Sequence, residues 1–159
     1  MFGHFGIECD LTTLSAAEHD GLAQWIGAYK RYRSLFHTGR SVHADSTDTA
    51  IDVRGVVSTD RRRALYAVIQ RDASVTYPPG RIALPGLDPD LVYEIVLADP
   101  TTEIVGPGRS PLAWATATPP IRLSGRLLEG TGVRAPVQFP SSVVLIEAIA
   151  EADPGAKRR

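Results

Sequence analysis

Glu8 and Asp10 are the carboxylates whose spacing comes closest to that of a catalytic pair. They lie in an apolar, glycine-punctuated segment, residues 1–11. If this segment is extended, the two side chains project to the same side, about 7 Å apart. That distance falls between the carboxyl separations of retaining and inverting glycosidases, about 5 and about 9 Å. Two neighbours on one strand cannot easily flank a sugar from both faces, so they are only weak substrate-binding candidates.

A structural role explains the same two residues more simply. Asp10 followed by Thr12 and Thr13 is typical of a polar turn ahead of a helix. Glu8 could then pair with an arginine. The residues themselves favour this interpretation, and we predict that the chain contributes no catalytic residue.

The two tryptophans are the side chains best suited to stacking on a sugar ring. Trp25 falls on an apolar helical stripe, so we expect it in the core. Trp114 fits two interpretations, a core residue or a carbohydrate-facing platform. It is the third weak substrate-binding candidate.

Metal and cofactor chemistry find little support in the sequence. Asp45, Asp48 and Asp52 hint at a calcium loop, but the glycine and the distal glutamate of an EF-hand are missing, so we expect a solvated loop. The four histidines have no ligand-like spacing with one another or with Cys9. The Cys9 thiol, in an apolar segment, is expected to be inert packing. We predict no metal and no cofactor.

Composition limits the class of protein. The 159 residues, 43% hydrophobic, suit one packed domain with a small appendage. A formal net charge of −1 gives no field that favours nucleic acid or anionic lipid, and no stretch approaches the roughly 20 apolar residues of a membrane span. A single cysteine and the lack of a signal-peptide pattern make the cytoplasm the expected location.

Residues 15–37 predict one long helix. Ser15 and Glu18 form a capping-box pattern at its start, and Gly39 is expected to end it in the left-handed conformation. The apolar stripe comprises Leu22, Trp25, Ile26, Tyr29, Tyr32 or Arg33, and Phe36. The chain offers no second long helix to cover this stripe. The isolated chain is therefore predicted to be poorly soluble or to self-associate, with a homo-oligomer as one form of that association.

The rest of the chain predicts an antiparallel β-sandwich of about eight short strands. The predicted strands cover residues 50–57, 64–71, 81–84, 92–98, 112–115, 121–128, 137–139 and 143–149. Residues 64–69 are apolar on both faces, which predicts a central strand. Residues 151–159 are predicted to be a disordered tail.

Four segments, in order, resemble the C-terminal end of the α-galactosidases of glycoside hydrolase family 36. The lead MFGHFGIECDLTTLS, residues 1–15, resembles the segment after the last barrel strands, and residues 29–40 resemble the end of the final barrel helix. Residues 84–90 with Tyr93 resemble a turn of the C-terminal β-domain, and residues 123–136 its last strands. Cys9 departs from the family, where a bulky apolar residue is usual.

This resemblance implies that residues 1–39 are the end of a truncated (β/α)8 barrel and residues 40–150 a C-terminal β-sandwich. The whole enzyme would remove terminal α-linked galactose from α-galactosides by a retaining mechanism. The family's catalytic aspartates lie in Trp-Asp-x-Asn-type and Ser-Asp-type motifs that this chain lacks, so we expect the missing barrel as partner and no activity alone. The alternative is a free-standing carbohydrate-binding or interaction module that works with a separate catalytic chain.

Overall fold

The computed structural model describes residues 5–98 and 113–151. Within these ranges the protein is mainly β, with one long helix at the start. In chain order the elements are the 3-10 turn Leu11–Thr13, helix α1 Ala16–Thr38, strands β1 Arg40–Ala44, β2 Ile51–Val57, β3 Arg63–Gln70, β4 Arg81–Ile82 and β5 Val92–Leu97, helix α2 Ala113–Thr116, strand β6 Ile121–Ser124, helix α3 Gly125–Gly130, and strands β7 Val133–Arg134 and β8 Ser142–Ala150.

The main layer is a six-stranded antiparallel sheet with the order β1-β2-β3-β8-β5-β6. β8 lies between β3 and β5, with Leu65 opposite Glu147 and Val96 also opposite Glu147. Five consecutive residues of β3, from Ala64 to Val68, are buried, which is why the apolar run correctly predicted a central strand. The predicted fold, an N-terminal helix and an antiparallel sandwich of about eight strands, is confirmed.

The inner face of the sheet carries the larger core. It is covered by a short two-stranded layer, β4 paired with β7, and by the helices α2 and α3. Fully buried side chains from both layers meet here, among them Tyr66, Ile95, Leu84 and Leu128. The second layer of the sandwich is therefore a ribbon and two short helices rather than a full sheet.

Helix α1 packs against the outer face of the same sheet. Ser15 caps it as predicted, because its hydroxyl accepts from the Glu18 N–H at 3.3 Å while the Glu18 carboxylate accepts from the Ser15 N–H at 2.8 Å. The C-terminal half buries Tyr32, Leu35 and Phe36 against the sheet. The C-terminal part of the apolar stripe is thus buried within the chain, and Trp25 and Tyr29 pack against the same cluster while remaining partly exposed.

The prediction of a left-handed Gly39 is wrong. Its φ and ψ are −79° and 170°, an extended conformation, and its N–H donates to the Leu35 carbonyl oxygen at 2.9 Å. Glycine is needed there for close approach, since a Cβ would lie 2.5 Å from Val56 Cγ1. The helix therefore ends where the chain turns tightly against β2.

Three predicted strands also differ from the structure. Residues 113–116 form helix α2 instead of a strand, and Leu112 lies outside the described residues. The predicted strand 121–128 stops at Ser124, whose hydroxyl accepts from the Leu127 N–H at 3.3 Å and starts α3. Residues 137–139 form no strand, and the ladder at this point is β7 with β4. β1 was not predicted.

Glu151, the residue at which the disordered tail is predicted to begin, is bonded to the sheet. Glu151 is held at the sheet, because its N–H donates to the Val92 carbonyl oxygen at 3.0 Å and its carbonyl oxygen accepts from Arg62 Nη2 at 2.7 Å. Its carboxylate pairs with Arg122. Residues 152–159 lie outside the described part of the chain.

Candidate functional site

The carboxylates Glu8 and Asp10 are both exposed. Asp10 caps the 3-10 turn, accepting from the Thr12 N–H at 2.9 Å and from Thr12 Oγ1 at 2.7 Å. The Thr12 hydroxyl bond, followed by the backbone bond, lowers the pKa of Asp10. The polar turn predicted ahead of the helix is thus present, and the Asp10 carboxylate is engaged in holding it.

Trp114 is a core residue. Only 8% of its surface is exposed, and it belongs to the inner-face core. Its Nε1–H donates to the Arg134 carbonyl oxygen at 3.0 Å, which satisfies its one polar group. This burial favours the core interpretation of Trp114 over the carbohydrate-facing platform.

Of the three aspartates in the expected solvated loop, Asp45 is exposed, whereas Asp48 and Asp52 have structural partners. Asp48 is buried and accepts from the Ala50 N–H at 3.0 Å. Asp52 is bonded to His43 Nε2 at 3.0 Å and to Arg54 Nε at 2.9 Å. Within residues 5–98 and 113–151, no group of three or more histidine, cysteine or acidic residues is placed to hold a metal ion.

Cys9 is exposed rather than packed, so the expectation of a thiol buried in apolar surroundings is wrong. Cys9 lies directly ahead of the 3-10 turn. In the described residues no helix is long and apolar enough to cross a membrane.

A buried polar cluster fastens α1 to the sheet. Tyr32 Oη donates to Glu147 Oε2 at 2.9 Å, and Arg63 Nε donates to Glu147 Oε1 at 2.6 Å. The Arg63 guanidinium also lies over the Tyr32 ring, 5.2 Å from its centroid. Burial, then the Glu147 charge, raises the pKa of the Tyr32 phenol. A lone carboxylate in the apolar run 143–149 was the only sequence signal for this cluster.

The N-terminal half of α1 leaves an open groove over the outer face of the sheet, with a volume of about 570 Å³. We call it the outer-face groove. Its lining is mainly apolar and comprises Phe5, Trp25, Arg54, Ala67, Ile69, Ser141, Ser142, Val143 and Leu145. Phe5 stacks on Tyr29 with ring centroids 5.4 Å apart. Trp25, expected in the core, is only partly buried and faces this groove.

Comparison with known proteins finds a matching family and a similar curated protein. Residues 51–146 match the family described as Glycosyl hydrolase family 36 C-terminal domain. A curated Alpha-galactosidase of Escherichia coli is 35% identical over 151 residues, which cover 92% of this chain and 21% of that protein. The chain thus spans about a fifth of the length of this relative.

Solved structures agree with this match. The α-galactosidase of Lactobacillus brevis superposes with a TM-score of 0.69 at 22% identity, over 96% of this chain and 19% of that one. The family 36 α-galactosidase AgaA of Geobacillus stearothermophilus superposes with a TM-score of 0.67 at 25% identity, over 91% of this chain and 17% of that one. Both the sequence match and the fold lead to one conclusion: the chain belongs to glycosyl hydrolase family 36 and carries the C-terminal domain of that family.

Proposed function

We propose that this chain is the C-terminal portion of an α-galactosidase and supplies scaffold rather than catalytic groups. The intact enzyme would hydrolyse terminal non-reducing α-D-galactose residues in galactosides by a retaining mechanism. The observation that carries the proposal is the match of 92% of this chain to 21% of a protein named as an α-galactosidase. Residues 1–39 would complete the barrel, and residues 40–150 would form the domain beside it, in a cytoplasmic enzyme.

The positions of the carboxylates support inactivity of the chain alone. A glycosidase needs two carboxyl groups on opposite sides of a bound sugar. Glu8 and Asp10 are exposed, and Asp10 is already used as a cap. The outer-face groove has no carboxylate in its lining. These positions support the proposal that this chain supplies neither the general acid nor the nucleophile.

The experiment compares the isolated chain with a chimera of E. coli α-galactosidase in which this chain replaces the aligned 151 residues. We expect no turnover of nitrophenyl α-D-galactoside by the isolated chain and clear turnover by the chimera, with the α-anomer formed first. Glu8→Gln and Asp10→Asn in the chimera are the matched controls and should leave turnover within a few-fold, because neither residue belongs to the acid–nucleophile pair. Turnover by the isolated chain that either substitution abolishes would refute the proposal.

A free-standing carbohydrate-binding or interaction module that works with a separate catalytic chain is the alternative. Its sugar-binding form would use Trp114 as a stacking platform, and the burial of Trp114 disfavours that form. Titration of the isolated chain with melibiose separates the two functions, since a scaffold should show no saturable binding.

A further inference from the structure

We propose that the buried side chains of Asp48 and Gln70 form a binding site for a hard metal cation at the end of β3. We call it the β3-end site. Asp48 is 7% exposed and Gln70 is 1% exposed, yet Asp48 Oδ2 and Gln70 Oε1 have no hydrogen-bond donor among the described residues. The inference goes beyond the proposed function, because the site needs neither a catalytic barrel nor a sugar.

The pairing of β2 with β3 brings the two side chains to the same end of the sheet. Arg71 N–H donates to the Ala50 carbonyl oxygen at 2.7 Å, so the N–H of Ala50 faces the same neighbouring chain. That N–H donates to Asp48 Oδ1 at 3.0 Å, which holds the Asp48 carboxylate where β3 ends. Gln70 is the last residue of β3 and lies opposite Ile51, whose N–H donates to the Asp48 carbonyl oxygen at 3.0 Å.

Both unpaired atoms are acceptors, and one belongs to a charged group. The donor side of the Gln70 amide is already engaged, since Nε2 donates to the Asp72 carbonyl oxygen at 2.6 Å and to Ser74 Oγ at 3.1 Å. Within the described part of the chain, Asp48 forms no ion pair. A buried carboxylate is costly unless its charge is paired or coordinates a metal. A water molecule would satisfy both oxygens, whereas a cation also balances the charge, and this difference favours the cation.

Oxygen ligands of this kind suit a hard cation, of which calcium is the best match. Ca²⁺ takes roughly 6–8 oxygens from carboxylates, amide and backbone carbonyls and water, in a flexible geometry. Two loops near the site are rich in side-chain oxygens, residues 45–49 and 71–80. They lie close together, since a Cβ on Gly80 would be 3.9 Å from Thr47 Oγ1. With a single carboxylate we expect weak binding, with a Kd on the order of 10⁻⁴–10⁻³ M for calcium.

Thermal unfolding of the chain with and without cations tests the site. Calcium chloride at about ten times the Kd should raise the melting temperature by about 3–6 °C over EDTA at the same ionic strength. Calorimetric titration should show one calcium ion per chain. Asp48→Asn keeps the Oδ1 acceptor for Ala50 and should lose both signals. Asp45→Asn, an exposed control on the same loop, should keep both. In EDTA, Asp48→Asn should be at least as stable as the unchanged chain, because its amide can donate to Gln70.

Three results overturn the site, and none of them depends on turnover of a sugar. If calcium, potassium and sodium all leave the melting temperature unchanged, a buried water is the partner of both oxygens. If Asp48→Asn keeps the calcium shift, or Asp45→Asn abolishes it, the ion binds elsewhere. If stability rises on acidification without any cation, a protonated Asp48 is the donor to Gln70. A shift with potassium or sodium but not calcium, lost in Asp48→Asn, would keep the site and make its occupant a monovalent ion.

Discussion

Removing the Tyr32 hydroxyl group should weaken the packing of α1 against the sheet and lower the stability of the protein. Tyr32→Phe keeps the buried ring but deletes the donor that lies 2.9 Å from Glu147 Oε2. Glu147 is 7% exposed, so water cannot readily replace that donor. A hydrogen bond to a charged group contributes about 1.5–3 kcal/mol, and a buried acceptor left unpaired bears the full desolvation cost. We expect the free energy of unfolding to fall by about 2 kcal/mol.

Urea unfolding of the isolated chain, followed by circular dichroism, measures this change. For a protein of this size each kcal/mol corresponds to a decrease of about 2–4 °C in the melting temperature. The matched control is Tyr29→Phe, one turn earlier on α1. The Tyr29 hydroxyl contacts His37 Nε2 at 3.0 Å on an exposed surface, so the control should change stability by less than about 0.5 kcal/mol.

A double-mutant cycle with Glu147→Gln sharpens the test. Residues in one buried network are coupled by about 0.5–3 kcal/mol. If Tyr32→Phe is as mild as Tyr29→Phe, or if its effect adds to that of Glu147→Gln without coupling, the hydrogen bond does not hold the helix. That result would refute a stabilising role for the hydrogen bond between Tyr32 and Glu147 and would leave the fold as described.

Three further predictions concern the core and the turns. Trp114→Ala should cost about 3–5 kcal/mol of stability in urea unfolding. Trp114→Phe keeps an aromatic ring and loses the bond to Arg134 and part of the indole volume, so it should cost less, about 1–2 kcal/mol. Gly132→Ala should cost at least about 2 kcal/mol, because Gly132 has φ +68° and a Cβ would collide with the Ile82 carbonyl oxygen, while Gly130→Ala should stay within about 0.5 kcal/mol. Burial raises the pKa of three phenols in the folded state, those of Tyr32, Tyr66 and Tyr93. The unfolded chain therefore loses these protons at a lower pH than the folded chain does. The free energy of unfolding should accordingly fall as the pH rises above about 10.

Each of these three predictions has a clear contrary result. Equal losses of stability for Trp114→Ala and Trp114→Phe would mean that the aromatic ring at this position does not contribute to core packing. Equal losses for Gly132→Ala and Gly130→Ala would show that the turn before β7 tolerates a side chain. Urea midpoints that stay flat between about pH 8.5 and pH 11 would mean that the phenols titrate alike in both states.

Patterns in the sequence were sufficient to predict the main elements of secondary structure. The capping box at Ser15 located the start of α1, because it satisfies backbone N–H groups with side chains only three residues away. The apolar run of β3 identified the central strand, since only a strand buried on both faces needs such a run. Both signals are local and chemically specific.

Short segments escaped prediction because their conformation depends on distant contacts. Trp114 lies in a one-turn helix and not in a strand, and its indole bonds to the chain 20 residues later. Gly39 is required by the approach of β2 and not by its own φ. The cluster of Tyr32 and Glu147 joins residues 115 positions apart. The outer-face groove follows from how α1 crosses the sheet, which no single stretch of sequence determines.

The position of β8 in the sheet has a consequence during synthesis. β1, β2 and β3 form one half of the main sheet, β5 and β6 form the other, and β8 alone joins them. At about 5–20 residues per second, roughly 1–4 s pass between the completion of β6 and the first residue of β8. During that interval β3 presents an unpaired apolar edge, the kind of edge that recruits other chains. The nascent chain therefore depends on its last strand, and a ribosome that stalls before Ser142 would release an aggregation-prone half-sheet.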